Sequence, residues 1–245
     1  MIQIPGQYRG LRIVEQIGQR TQLIAPHNGG ELTFLHPAYG PGTYGSVGLA
    51  IERANLKRPT MAETASLALA AFNSPEDNRY SKEIKDIMIN AWLWAFTWSN
   101  YEPKPIDGVF VYDQSNGQRF RDLSGSELEK MLGQRQEHGV VYSDDGLLRF
   151  VPFGYNVGEM SPLELSKNAY VIALVGEEVA EKLAQVAGKF IDKPRLWSYE
   201  HVDENKIRVS ALGSWVSSRE LRRLEVLGSV FLDGGSNGHA FGYLK

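Results

Sequence analysis

Residues 81–101, SKEIKDIMINAWLWAFTWSNY, form the stretch on which the expected fold depends. Apolar side chains recur in it at steps of three and four residues, and this spacing places them on one face of a helix. The residues of this face are Ile84, Met88, Ala91, Ala95 and Trp98. Four more apolar residues widen it: Ile87, Trp92, Leu93 and Phe96. Because a helix that is apolar on most sides is buried on more than one side, we expect a central Trp-rich helix over residues 81–98.

The chain before this stretch predicts strands and then helices. Short apolar runs between residues 11 and 35 are separated by Gly, Asn and Pro, which is typical of an antiparallel meander. A helix is expected over about 44–56, with Thr43 or Ser46 as its cap. Thr60 and Glu63 form a T-x-x-E capping box, so a second helix should begin there and continue to residue 72.

The chain after residue 105 returns mainly to strand patterns. Residues 140–151 predict a hairpin around a polar turn, and Ser161 with Glu164 forms another capping box. The continuous apolar run 170–175 predicts a strand that leads into an amphipathic helix ending near residue 190, a βα unit. A short helix is expected after Ser217, with a basic face of Arg219, Arg222 and Arg223. Together these patterns predict an α+β fold with a mixed, largely antiparallel sheet and a helical layer around the central helix.

The composition is typical of an ordinary globular protein. The chain has 245 residues, of which 42% are hydrophobic and 22% charged, so disorder is not expected over any long segment. A net charge of -3 does not favour general nucleic-acid binding, which relies on a positive field. The sequence contains no cysteine, which excludes disulfides, thiol nucleophiles and cysteine-ligated zinc.

Domain organisation and location follow from simple patterns. One α+β domain over residues 1–245 is expected, with a sub-boundary near residues 102–106 as the alternative. The first residues lack a secretory signal pattern, and the longest apolar run is too short to span a bilayer. We therefore expect a cytoplasmic protein without a membrane partner, and self-association is left open.

The loop at residues 36–45 is the first candidate for a ligand site. Gly40-Pro-Gly-Thr-Tyr-Gly45 matches G-x-G-x-x-G and opens a predicted helix, so its amides could hold a phosphate or carboxylate. The alternative is a tight turn of glycine and proline. No acidic strand end follows at the spacing of a dinucleotide site, and no lysine completes a Walker loop. The predicted ligand-binding residues are His36, Tyr39, Gly40, Gly42, Thr43, Tyr44 and, as the wall of a groove, Trp94.

Other signals for chemistry are weaker. Residues 233–239, DGGSNGH, resemble part of a calcium loop but lack the second ligand and the bidentate acid, so no metal is expected there. No H-E-x-x-H or G-x-S-x-G motif is present. Aspartates at predicted strand ends and turns could converge on an acid–base or metal site. They are Asp107, Asp113, Asp144, Asp145 and Asp233.

Three function classes follow from these patterns. The leading hypothesis is a protein that binds a small anionic or phosphorylated ligand in a pocket beside residues 36–45. The second is a hydrolase or transferase with His36 and an aspartate such as Asp107 as acid and base. The third is a structural protein that self-associates. The sequence contains no motif that indicates a particular cofactor or reaction.

Overall fold

The computed structural model describes residues 10–16, 19–199, 206–217, 220–230 and 237–244. Its N-terminal part contains strands followed by three helices. They are β1 (Arg12–Val14), β2 (Thr21–His27), β3 (Gly30–His36), β4 (Tyr39–Gly42), α1 (Tyr44–Arg53), α2 (Met61–Phe72) and α3 (Arg79–Asn90). The first three strands form the predicted antiparallel meander. Thr43 caps α1 and the Thr60–Glu63 capping box begins α2, as expected.

The middle of the chain is rich in strands. Its elements are β5 (Trp92–Glu102), β6 (Gly108–Asp113), a 3-10 turn (Gln114–Asn116), α4 (Gly117–Phe120), α5 (Gly125–Lys130), β7 (Leu132–Glu137), β8 (Val140–Ser143), β9 (Leu148–Pro152) and β10 (Gly158–Glu159). The hairpin expected over residues 140–151 is formed by β8 and β9.

The last part returns from helices to strands. Its elements are α6 (Pro162–Lys167), α7 (Ala169–Val175), α8 (Glu177–Ala187), β11 (Arg195–Trp197), β12 (Lys206–Ser217), β13 (Glu220–Val230) and β14 (Gly238–Ala240). The Ser161–Glu164 capping box begins α6, as predicted. In the described residues no helix is long and apolar enough to cross a membrane.

One 11-stranded sheet organises the molecule. Nine strands follow the order β10-β11-β13-β12-β5-β6-β9-β8-β7, and β14 pairs with both β4 and β5. The β11–β13 and β14–β5 pairs are parallel and the other pairs are antiparallel. The predicted α+β class with a mixed, largely antiparallel sheet is therefore confirmed.

The central helix predicted over residues 81–98 is wrong in its second half. Helix α3 ends at Asn90, and Trp92 begins β5, which lies between β12 and β6 in the sheet. Trp94, Phe96 and Trp98 belong to one apolar cluster, whereas Leu93 and Ala95 belong to another. This alternation is that of a strand buried on both faces, and the pairing along β5 fixes it.

Two further predictions, both in the C-terminal half of the chain, are wrong. Residues 170–175 form helix α7, because the side chain of Asn168 accepts hydrogen bonds from the amides of Tyr170 and Val171 and caps it. The expected βα unit is thus a pair of helices, α7 and α8. The short helix predicted after Ser217 is strand β13 instead, because its residues pair with β12 and β11. Arg219 lies outside the described residues.

The two faces of β5 contact different layers. Leu93 and Ala95 pack in a large cluster with apolar residues of α2, α3, α7 and α8. Trp94, Phe96 and Trp98 pack in a second cluster with Tyr44, Val47 and Ile51 of helix α1. The face of β5 that carries the tryptophans has a surface cavity at each end. One is lined by Trp92 and the other by Trp98.

Candidate functional site

A cavity of about 880 Å³ lies beside Trp98. We call it the Trp98 cavity and define it by Lys57, Glu63, Trp98, Asp113, Arg121 and Tyr243, which line it. These residues come from the α1–α2 connection, helix α2, β5, the end of β6, the segment after α4 and the chain beyond β14. The cavity therefore forms only when the whole fold is assembled.

An irregularity in β5 brings the start of α2 against this site. The β12–β5 register shifts at Val209/Ser210, and the Phe96 amide donates a hydrogen bond to the Pro59 carbonyl at 2.7 Å. The Met61 amide donates to Thr97 Oγ1 at 2.9 Å. Since bulged residues leave the regular ladder, these two bonds can hold the α1–α2 connection beside Trp98.

The floor of the cavity is aromatic. Trp98 donates its indole N–H to the hydroxyl oxygen of Tyr44 at 3.0 Å. The Tyr44 ring is buried and contacts Trp94 and Phe96, at centroid distances of 5.8 and 4.7 Å. Burial raises the pKa of Tyr44, so its hydroxyl is neutral. These packed aromatic rings form a rigid floor for the cavity.

Glu63 occupies the wall between α2 and Tyr243. Its Oε2 accepts a hydrogen bond from the Thr60 amide at 2.6 Å, and its Oε1 accepts one from the Tyr243 hydroxyl at 2.7 Å. Burial raises the pKa of Glu63, and burial together with the Glu63 contact raises the pKa of Tyr243. Both oxygens of the Glu63 carboxyl group therefore already accept a hydrogen bond from the protein.

Asp113 is compensated in a similar way. Its Oδ1 accepts a hydrogen bond from Thr97 Oγ1 at 2.7 Å and lies 3.2 Å from Nη2 of Arg149. The Arg149 side chain is only 12% exposed. Because the positive charge of Arg149 lies close to Asp113 and offsets its negative charge, this carboxylate repels an anionic ligand less than its charge alone suggests.

The cations that line the cavity, Lys57, Arg58 and Arg121, each lie over an aromatic ring, and the Cζ of Arg58 is 5.6 Å from the Phe96 ring centroid. The Nζ of Lys57 lies 5.7 Å from the Tyr243 ring centroid, and the Cζ of Arg121 lies 5.4 Å from the Trp98 ring centroid. Within the described residues neither cation makes an ion pair, whereas Arg58 pairs with Glu52. Lys57 and Arg121 are therefore the lining cations without a direct ion pair to a carboxylate of the described chain.

The predicted glycine-rich loop is largely a paired strand. Gly40 and Gly42 lie in β4, which pairs with β14. Gly40 has φ +124°, and a Cβ there would lie 2.4 Å from the carbonyl oxygen of Gly238. Thr43 Oγ1 accepts a hydrogen bond from the Ser46 amide at 3.2 Å. Close strand packing and helix capping account for these residues, and anion binding by their amides stays a prediction.

The other predicted site residues separate into two groups. Trp94 is fully buried and donates its Nε1–H to the Gly42 carbonyl at 3.2 Å, so the expectation that it lines a groove is wrong. Tyr44 supports the floor of the Trp98 cavity without lining it. His36 lies elsewhere, with Nε2 at 2.6 Å from Glu83 Oε2, and the Tyr39 ring stacks with Arg20 at 4.4 Å.

A smaller opening of about 410 Å³ lies near His36 and Gly40. Its lining includes Glu83, the partner of His36, and His239, which contacts Gly40. This opening lies where a pocket beside residues 36–45 was predicted. Acidic and basic side chains of α3 line it together: Arg79, Lys82, Glu83 and Asp86.

The proposed acid–base partners have separate contacts. His36 pairs with Glu83, whereas Asp107 Oδ1 accepts a hydrogen bond from the Tyr101 hydroxyl at 3.5 Å. The hydrolase hypothesis stays a prediction. In the part of the chain that the structure describes, no group of three His, Asp or Glu side chains could hold a metal. Asp233, with most of the calcium-like loop, lies outside the described residues.

Lys57, Arg121 and Tyr243 are the cavity residues that sequence reasoning missed. They lie in three segments that the fold brings together, and each is part of an unremarkable local sequence. The local signals near this site were the capping box at Thr60 and Glu63, which indicated a helix start, and Asp113 among the aspartates at predicted strand ends.

Comparison with known proteins identifies a similar fold. No protein-family model and no curated protein sequence matches the chain. A solved structure described as "Accommodation of massive sequence variation in Nanoarchaeota by the C-type lectin fold" is similar, with a TM-score of 0.52 and 12% identity. The match covers 94% of this chain and 100% of the other. The architecture thus resembles the C-type lectin fold, and at this identity the likeness concerns the fold alone.

Proposed function

We propose that the protein binds a small anionic ligand in the Trp98 cavity. The observation that carries this proposal is the pair of cations, Lys57 and Arg121, each over an aromatic ring and without an ion-pair partner in the described chain. A ligand phosphate or carboxylate would supply the missing negative charge. Guanidinium groups bind both oxyanions through paired hydrogen bonds.

The acidic residues of the cavity support the same conclusion. Asp113 is offset by Arg149, and Glu63 has an environment that raises its pKa. If these two groups were free carboxylates, they would oppose an anion. Glu52, the third acid of the lining, pairs with Arg58, so Lys57 and Arg121 are the lining cations that make no direct ion pair within the described chain.

The fold likeness favours a binding role. The similar structure concerns a C-type lectin fold that accommodates massive sequence variation. A fold that tolerates many sequences can carry different surface side chains, and these side chains determine which ligand is bound. The proposal for this chain rests on the cavity chemistry, and the fold supplies only this context.

Isothermal titration with pyrophosphate, inorganic phosphate and citrate tests the proposal. We expect saturable binding by the wild-type protein and an affinity about tenfold lower for K57Q or R121Q, because each removes a charge-assisted contact. Raising the salt concentration should weaken binding in the wild-type protein.

Two matched variants serve as controls. R53Q and K104Q remove exposed cations outside the cavity, and both should bind as the wild-type protein does. Absence of saturable binding to all three anions at millimolar concentration would contradict the proposal. Equal losses in R121Q and R53Q would also contradict it, because they would indicate a general charge effect.

A further inference from the structure

A second opening of about 570 Å³ lies at the other end of the aromatic face of β5. We call it the Trp197 groove and define it by Trp92, Arg195, Trp197, Glu225 and Leu227, which line it. Trp92 and Trp98 stand six positions apart on β5, which corresponds to roughly 20 Å along a strand. The groove is therefore separate from the Trp98 cavity.

The walls of the groove are apolar and partly open to solvent. Trp197 is 39% exposed, a large value for a tryptophan in a sheet. Its neighbour Leu196 is buried in the large core cluster, so alternation along β11 directs Trp197 and Arg195 to the opposite face. Trp92 closes the other side and packs over Gly213, where a Cβ would lie 2.8 Å from its ring.

Glu225, the acidic residue that lines the groove, already accepts hydrogen bonds from protein groups. Glu225 is buried, its Oε1 accepts a hydrogen bond from Nε of Arg223 at 2.8 Å, and its Oε2 accepts one from the Trp197 indole N–H. Arg223 also pairs with Glu159. Arg223 therefore bridges two carboxylates.

Arg195 lies between Glu159 and Glu225 across the sheet, but within the described residues it makes no direct ion pair with either. Its Cζ lies 3.9 Å from the Trp197 ring centroid. Its Nε is buried, and no group of the described residues accepts a hydrogen bond from it. A buried donor without an acceptor is costly, so an arriving acceptor would be favoured.

We propose that the Trp197 groove binds a small planar aromatic carboxylate. Its ring would lie against Trp92, Trp197 and Leu227, and its carboxylate would accept hydrogen bonds from the Arg195 guanidinium. Apolar walls with one polar anchor are the usual composition of a small-molecule site. The charge of Arg195 selects a carboxylate over a neutral or cationic ring.

Saturation-transfer NMR and titration with 2-naphthoate test this proposal. We expect 2-naphthoate to bind saturably, and 2-naphthol and 2-naphthylmethylamine to bind at least tenfold more weakly. R195Q should lower the affinity for 2-naphthoate about tenfold through loss of the charged anchor. W197A should lower it by a similar factor, and it provides a second test if R195Q does not fold.

Two controls locate the binding. R53Q and K104Q, which remove exposed cations outside both cavities, should retain wild-type affinity for 2-naphthoate. Failure of 2-naphthoate to bind at millimolar concentration overturns the proposal. So does a loss in R121Q that equals the loss in R195Q, because the ligand would then occupy the Trp98 cavity. Binding that neither R195Q nor W197A changes overturns it as well.

Discussion

Trp98 donates its indole N–H to the hydroxyl oxygen of Tyr44, 3.0 Å away, and both side chains are buried. Replacing Tyr44 by phenylalanine leaves this buried donor without its acceptor. We therefore expect Y44F to lower the free energy of unfolding by about 1–3 kcal/mol, measured by urea denaturation.

A matched control separates this bond from the general loss of a hydroxyl. Tyr142 is partly exposed and packs beside Arg135, so Y142F should change the free energy of unfolding by less than about 0.5 kcal/mol. A double-mutant cycle of Y44F with W98F should give a coupling of about 0.5–3 kcal/mol. Additive effects would show that the bond contributes nothing to stability.

Gly238 packs against the ring of Trp94, and a Cβ at this position would lie 1.8 Å from Nε1. Trp94 is fully buried and cannot move away without disturbing the core. We expect G238A to lower the free energy of unfolding by about 1–3 kcal/mol or more, since overpacking forces backbone shifts. Thermal and urea denaturation measure the loss.

Gly45 provides the comparison for this substitution. It lies exposed in α1, and a Cβ there meets nothing within 4 Å. G45A should be neutral or stabilise by up to about 1 kcal/mol, because alanine favours a helix over glycine. Similar losses in G45A and G238A would refute the packing explanation.

His27 predicts a pH dependence of stability. Its Nδ1 lies 2.9 Å from Ser66 Oγ, and burial, together with nearby Lys182, lowers its pKa from 6.5. A lowered folded-state pKa means that the unfolded chain binds the proton first as the pH falls. The stabilisation is therefore complete above pH 6.5 and is lost as the pH falls from 6.5 through the folded-state pKa.

The variant H27N keeps a polar group near Ser66 without this titration. Between pH 7 and pH 5 we expect the wild-type protein to lose more free energy of unfolding than H27N does, because carboxylates titrate alike in both. Urea denaturation at several pH values measures the difference. Parallel pH profiles would rule out a contribution from His27.

The sheet predicts that the chain folds as one unit. Strand β5 pairs with β6 on one side and with β12 on the other, so strands from both parts of the chain share one ladder. Fragments 1–103 and 104–245, made separately, should therefore lack the near-ultraviolet circular dichroism of packed aromatic side chains. Mixing them should restore part of this signal. A native-like signal from either fragment alone would support a domain boundary near residues 102–106.

Local chemistry allowed much of the fold to be predicted. Capping residues such as Thr60 and Ser161 determine helix starts through bonds within one turn, so these starts were correct. The error at residues 91–98 has a physical cause, because Trp98 fits both a helical stripe and an alternating strand. The pairing of β5 with β12, more than a hundred residues later, decides between them.

The candidate site was less accessible to prediction. Lys57, Arg121 and Tyr243 are brought together by tertiary structure, and no motif joins them. The glycine pattern at residues 40–45 was visible, but its pairing with β14 was not. The capping and glycine patterns were therefore structural, and the two cations without a direct ion pair were found only in the folded chain.

Strand β14 also determines when the fold can be completed. It lies between β4 and β5, pairs with both, and is followed by Tyr243, which bridges to Phe34 and Lys57. A ribosome delivers these residues long after their partners, and such distant pairing is slow to form. Until then β4 and part of β5 present unpaired edges, which favour association between growing chains. Biosynthesis should therefore be the stage at which this protein is most vulnerable to aggregation.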